Sequence, residues 1–255
     1  MIRILKRNHI ITLFATLVLV MMASVSAFAA MDETESNNTR EYANRISMGT
    51  TVYGVSDDYD INGPRTGYDW FKFTAPVNGT AKVVIKADYL PYNFTSAELI
   101  VYNSNGEKLV RAYDDQSQWG GKAVQFGVYS GNTYYIKVYS DYANYCSPDA
   151  EYHFTVSYVV GKTAIKSATG AKKAVKVKWN KKSKASYYQV QYVRKSRYED
   201  YGWNGAKIVK ATKSYKTIKG LKKKTRYYVR VRVVRKINGV TYYSAWSAKK
   251  AVKSK

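Results

Sequence analysis

Nucleophilic catalysis needs a nucleophile in contact with a base, and this chain holds almost no base to use. Of its two His, His9 stands in the N-terminal leader, which leaves His153. That residue falls between Tyr152 and Phe154 and shares its polar side with Thr155 and Ser157, so it reads as a surface residue of an alternating strand. The one cysteine, Cys146, lies in the loop-like Tyr145-Cys146-Ser147-Pro148 and has neither a second His to activate it nor a thiol to pair with. Paired carboxylates can hydrolyse a glycoside without His, and the first half of the chain has acids enough, but no pair stands out among them. A phosphate-cradling Gly loop and Cys-based metal spacing are both missing from the sequence. The expectation is a protein that is not an enzyme.

Binding chemistry is better supplied. Lys181, Lys182 and Lys184 crowd one stretch of the second half, and Lys222, Lys223 and Lys224 crowd another. Like charge at this density opposes compaction and attracts polyanions, and counterion release makes such attraction steeply salt-dependent. A second candidate is aromatic: Tyr198, Tyr201 and Trp203 stand with Glu199 and Asp200 in what reads as a loop. Rings held on a loop stack on sugar faces or peptide, and acids accept hydrogen bonds from hydroxyls. Tyr89, Tyr92 and Phe94 form a similar group, as do Tyr113 and Trp119.

The elements that must carry these residues follow from composition and pattern. With 45% hydrophobic and 15% aromatic residues, 26 of them Tyr, the chain can bury a core and is not a disordered tail. Residues 1–29 run from Arg3, Lys6 and Arg7 through the apolar stretch Ile10 to Met22 and end in Ala27-Phe28-Ala29, the order of a secretory signal peptide. A thirteen-residue apolar run rises about 20 Å as a helix, short of the roughly 30 Å hydrocarbon core, so no transmembrane anchor is expected. Residues 30–160 carry 10 Lys and Arg against 16 Asp and Glu, a net of −6, whereas residues 161–255 carry 29 against 2, a net of +27. That step places a domain boundary at Val160-Gly161, with a very short hinge. Alternation at Tyr152, Phe154, Val156 and Tyr158, at Val175, Val177 and Trp179, and at Val229, Val231 and Val233 gives strands in both halves. The fold class is therefore all-β: two consecutive β-sandwich domains after a signal peptide.

Motif order sharpens this. Glu35-Ser36-Asn37-Asn38-Thr39, Asp69-Trp70-Phe71-Lys72-Phe73, Leu99-Ile100-Val101-Tyr102-Asn103 and Gly131-Asn132-Thr133-Tyr134-Tyr135 succeed one another in residues 30–160. In this order the segment resembles the bacterial pre-peptidase C-terminal domain, a β-sandwich appended to many secreted proteases. The resemblance implies help with secretion or binding to substrate polymers, and in some members calcium. Calcium takes several oxygen ligands, and Glu35, Asn37, Asp57, Asp58, Asp60 and Asp69 are the candidates. Members often show Asp-x-Asp before the aromatic residue. Here Gly67-Tyr68-Asp69 lacks the first carboxylate, and Asp57 to Asp60 is the stretch that could replace it.

Residues 161–255 resemble a fibronectin type III domain of the kind found in exported proteins of Gram-positive anaerobes. The likeness rests on Trp179 as the core Trp, on Leu221, Thr225 and Tyr227 as a tyrosine corner, and on Tyr243-Ser244-Ala245-Trp246-Ser247 near the end. Arg230 and Arg232 face outward between inward valines and can stack on Trp246 as a structural cation–π ladder. Neither resemblance brings a catalytic pair. Together they imply a secreted, extracellular binding or adhesion protein of the bacterial cell surface. Its basic domain would contact anionic cell-wall polymer or polysaccharide, and the acidic domain a glycan or a secreted protein. No specific nucleic acid is expected as a partner. The alternatives are an accessory subunit of a secreted hydrolase and a carboxylate-based glycan hydrolase. No Leu-Pro-x-Thr-Gly sorting signal appears, so covalent wall attachment is not expected.

Overall fold

A computed structural model of the chain describes residues 30–56, 68–87, 95–114, 121–142 and 150–255. The signal-peptide reading of residues 1–29, Asp57, Asp58, Asp60, Tyr89, Tyr92, Phe94, Trp119 and Cys146 lie outside the described residues.

Alternation builds the first half. In the strand Asp69–Thr74, residues 69, 71 and 73 are buried and residues 70 and 72 are half-buried, the period-two pattern of a sheet with one face on a core. In chain order the strands are β1 (Ala30–Asp32), β2 (Asn44–Arg45), β3 (Thr51–Ser56), β4 (Asp69–Thr74), β5 (Gly79–Ala87), β6 (Thr95–Tyr102), β7 (Lys108–Asp114), β8 (Lys122–Val128), β9 (Thr133–Tyr142) and β10 (Ala150–Tyr158). One sheet runs β1-β3-β10-β5-β8 and the other β2-β4-β9-β6-β7. Pairing is antiparallel except where β1 meets β3 and β2 meets β4. Val52, Val83, Ile85 and Phe154 from the first sheet meet Phe71, Phe73, Leu99 and Ile136 from the second in a sealed core, with Phe71 and Phe154 edge to face at 5.0 Å.

The second half repeats the solution. Its strands are β11 (Ile165–Ala171), β12 (Ala174–Trp179), β13 (Tyr187–Arg194), β14 (Lys207–Ala211), β15 (Tyr215–Ile218), β16 (Arg226–Ile237), β17 (Val240–Tyr243) and β18 (Lys250–Lys253). A three-stranded sheet β11-β12-β15 faces a five-stranded sheet ordered β14-β13-β16, with β17 and β18 both paired to β16. Trp179 lies edge to face with Tyr188 at 5.3 Å in a core with Val190, Val229 and Val231. The tyrosine corner forms: the Tyr227 hydroxyl accepts from the Lys222 N–H at 3.0 Å.

This corner is one case of a wider use of Tyr. Buried Tyr134 and Tyr188 likewise accept backbone N–H groups, of Tyr129 at 2.9 Å and Lys182 at 2.8 Å, and Tyr158 donates to the Val77 carbonyl at 2.8 Å. Each ring fills core while its hydroxyl satisfies a turn that would otherwise lack a partner. The high Tyr content has a structural purpose here.

Beyond the short connection from β10 to β11, side chains of the two halves meet. Ile237, Val240 and Tyr242, on the β16–β17 hairpin, pack with the core of the first half beside Met48 and Tyr158. The Tyr242 hydroxyl donates to the Met48 carbonyl at 3.0 Å, its ring meets Tyr158 edge to face at 5.5 Å, and burial pushes its pKa up to about 12. Arg235 covers the other partner, 5.5 Å from the Tyr158 ring. The junction is thus an apolar, hydrogen-bonded surface. Burying unpaired charge is costly, whereas burying rings whose hydroxyls are satisfied is favourable.

Candidate functional site

Three carboxylates converge at one end of the first sandwich. Glu33 and Glu35 follow β1 two residues apart. Asp69 opens β4, and the three carboxylates have oxygens within 4.8 Å of one another. The Tyr152 hydroxyl, on β10, lies 2.9 Å from Glu33 Oε2 and 2.7 Å from Asp69 Oδ2. One phenolic proton serves only one of these oxygens at a time. Glu33 Oε1 accepts the Val55 N–H, and Asn37 Nδ2 donates to Glu33 Oε2 at 3.3 Å. Burial, with Glu35 repelling it, raises the Glu33 pKa above the ordinary carboxyl value despite these bonds. Gly54 makes the approach feasible, since a Cβ there would run into the Tyr152 ring and stand 2.7 Å from Glu33 Oε1.

The cluster holds some of the residues expected as calcium ligands and one that was not among them. Glu35 and Asp69 come together, Glu33 joins them, and Asp58 and Asp60 fall outside the described residues. Asn37 is fully buried, and its Oδ1 has no hydrogen-bond partner. Three clustered carboxylates, with the buried amide oxygen of Asn37 that lacks a partner and whose Nδ2 bonds Glu33, are hard donors of the kind calcium takes. Glu33 and Glu35 also line a cavity of about 490 Å³ together with Asp32, Glu151, Tyr53, Gly54 and Tyr152. Glu33 was legible in the sequence only as an acid two residues before Glu35.

In the second half, the segment around Tyr198 differs from the loop expected. It forms a helix, α1 (Lys195–Tyr201), and turns back to β14 through Gly202 and Gly205, both with positive φ. Tyr198 and Trp203 are half-buried on their own domain. Tyr198 meets Trp203 at 5.2 Å and Tyr228 at 4.9 Å, both edge to face. Trp203 then opens a ladder. The Arg230 guanidinium stands 4.0 Å from Trp203 and 4.7 Å from Trp246, and Arg232 stands 4.5 Å from Trp246 and 4.0 Å from Tyr243. Gln191 and Gln189 accept from the Nε atoms of Arg230 and Arg232, both at 2.7 Å, holding each plane between rings.

Trp246 lies between β17 and β18 rather than within a strand. Ser244 and Ser247 tie that stretch to β16, each bonding through its N–H to the carbonyl and through its Oγ to the N–H of Val233 and Val231. Tyr201 stays 63% exposed, the one ring of the three free to meet a ligand. His153 sits beside Tyr53, ring centres 5.5 Å apart, on the half-buried outer side of β10. Tyr113 is exposed on β7.

The six expected lysines are all exposed but form two groups. Lys181, Lys182 and Lys184 lie between β12 and β13, and Lys184 Nζ reaches the Asn78 carbonyl of the first half at 3.5 Å. Lys222, Lys223 and Lys224 lie between β15 and β16, where the Leu221 N–H bonds to the Lys173 carbonyl and the Lys173 N–H to Lys255. The six residues of β12 run between the two ends, about 20 Å apart at the rise of a strand.

No family model matches the chain, and no curated protein matches it. Among solved structures it is similar to the pre-peptidase C-terminal domain of a collagenase from Bacillus anthracis, at 17% identity and a TM-score of 0.33, covering 45% of this chain and 94% of that one. It is also similar to a two-domain fibronectin type III segment of chicken tenascin, at 16% identity and a TM-score of 0.33, covering 73% and 98%. A β-1,2-glucanase from Parabacteroides distasonis matches at 10% identity and a TM-score of 0.30, with 30% of that chain covered. Structures of both kinds named from the motifs are thus among those this chain is similar to, and its own strand order makes it all-β. Among the described residues no helix is long and apolar enough to cross a membrane.

Proposed function

We propose that the protein is a secreted, non-catalytic binding protein whose basic domain holds an anionic cell-wall polymer and whose acidic domain engages a glycan or a protein. The observation that carries this reading is the segregation of charge. The lysines of the second half are exposed at both ends of a folded sandwich that carries 29 cations and only Glu199 and Asp200 as acids. A surface needs far less charge than this for solubility, and such excess opposes folding unless a polyanion neutralises it.

In the acidic domain Glu33, Glu35 and Asp69, with Asn37 Oδ1, would hold calcium. When bound, the ion supplies positive charge to a cleft otherwise lined by acids. The chain's own residues fix the carboxylates there: Tyr152 spaces Glu33 from Asp69, and the Val55 N–H orients Glu33.

Co-sedimentation with wall sacculi, with and without teichoic acid and at low and high salt, tests the reading. Retention that requires teichoic acid and is lost in salt supports it. Retention on bare sacculi in high salt moves binding to glycan and the exposed rings. Absence of retention in every condition overturns it in favour of a diffusible protein partner, and sugar release from the sacculi overturns the non-catalytic part.

A further inference from the structure

Between α1 and the β15–β16 turn lies a groove of about 540 Å³, lined by Arg194, Arg197, Asp200, Tyr201, Lys207 and Lys222. Four cationic side chains thus surround one acid and one exposed ring. Among the described residues the pairing Lys195–Glu199 takes up the other acid of the domain at 3.2 Å, and the four groove cations are in no ion pair. The Arg197 guanidinium lies against Gly205, where a Cβ would stand 2.6 Å from its Nη2, and its centre is 5.8 Å from the Tyr201 ring. Lys222 carries the groove onto the far end of the domain, where Lys172, Lys173, Lys223, Lys224 and Lys255 stand exposed around turns joined by backbone hydrogen bonds.

We infer that this groove is the seat of a polyol-phosphate or sugar-phosphate segment of a linear polymer, an assignment that rests on the polyanion reading above and narrows it to one end of the domain. Guanidinium forks pair with phosphate oxygens through two parallel hydrogen bonds, which favours a phosphodiester over a diffuse counterion. Asp200 is an acceptor for a hydroxyl between successive phosphates, and the Tyr201 face covers carbon-bound hydrogens. The lysines beyond Lys222 then track the following charges. A nucleic acid fits less well, because strands without sequence preference are held by several successive rings and this groove exposes one.

Titration calorimetry of the purified protein with a poly(glycerol phosphate) chain, repeated across salt concentrations, tests the assignment. Arg197→Glu with Lys222→Glu should weaken binding at least about tenfold and flatten the salt dependence, whereas the charge-matched pair Lys181→Glu with Lys182→Glu should change it only about twofold. Tyr201→Ala should weaken binding several-fold and leave the salt slope unchanged. All these positions are exposed, and circular dichroism checks that each variant stays folded. Equal losses from the two charge pairs overturn the groove while leaving diffuse polyanion binding intact. Failure of the unaltered protein to bind the polymer overturns both. Tighter binding of a single-stranded oligonucleotide of equal charge overturns the polyol-phosphate assignment.

Discussion

Replacing Glu33 by Gln separates the two consequences of crowding carboxylates. In the metal-free protein Glu33, Glu35 and Asp69 hold their oxygens within 4.8 Å, and the Glu33 pKa is raised first by burial and also by Glu35. An acid whose folded pKa exceeds its unfolded value costs stability once it ionises. The cost is absent below the ordinary value of 4.5, opens as pH rises past it and is complete above the raised folded value. Gln keeps an oxygen for the Val55 N–H and offers its NH2 to the Tyr152 hydroxyl, gives up the long 3.3 Å bond from Asn37 Nδ2, and carries no charge. Without metal, Glu33→Gln should therefore melt higher than the unaltered protein at neutral pH, and the difference should close as pH falls to about 4.5.

Calcium reverses the order. A ligand at a hundredfold excess over its Kd adds ~2.7 kcal/mol. At 2–4 °C per kcal/mol for a chain of this size, that is roughly 5–10 °C. The unaltered protein should gain this at millimolar calcium, and the variant, short of one charged ligand, should gain at most a small part of it. Thermal unfolding followed by circular dichroism, with chelator and with calcium, reads both effects. A variant that melts lower without metal refutes the repulsion argument. A calcium shift of equal size in both proteins refutes the assignment of Glu33 as a ligand.

Three further outcomes follow from the second half. Trp246→Ala removes the ring between Arg230 and Arg232 and should cost about 1–3 kcal/mol from two cation–π contacts, seen as a lower denaturation midpoint; an unchanged midpoint would mean that the ladder adds nothing. Tyr242→Ala deletes a buried ring and its bond to Met48 and should cost about 3–5 kcal/mol, lowering the protection of first-half amides in hydrogen exchange although the substitution lies in the second. Protection that falls only in the second half would refute the packed junction. Lys173→Gly, at φ +49°, should stabilise by about 1 kcal/mol by relieving left-handed strain, and a lower denaturation midpoint would contradict it.

The strands were legible because alternation is a local property of extended backbone. Tyr152, Phe154, Val156 and Tyr158 point one way whatever they pack against, and the structure buries all four. The tyrosine corner and the Arg230–Trp246–Arg232 stack were legible for a related reason, since each depends on spacing along one or two adjoining strands. Charge segregation needed only counting.

What required the tertiary structure is convergence across distance. Asp69 meets Glu33 because the two sheets close on each other and bring the start of β4, in one, against Tyr152 of β10, in the other, and pattern within a strand says nothing about which strand ends become neighbours. Trp203 leaves the expected ligand surface because α1 and two positive-φ glycines swing it onto Arg230, while Tyr201 remains outside. Tyr242 reads as an ordinary strand residue until the first half supplies Met48 and Tyr158 to cover it. Lys222 and Lys182, both in lysine runs, end up at opposite ends because β12 lies between their turns. Sequence alone determined composition, charge and the direction in which each side chain leaves its strand. Partnership between side chains far apart in the chain was decided by strand order and register, which arise only when both sheets of each sandwich close on their cores.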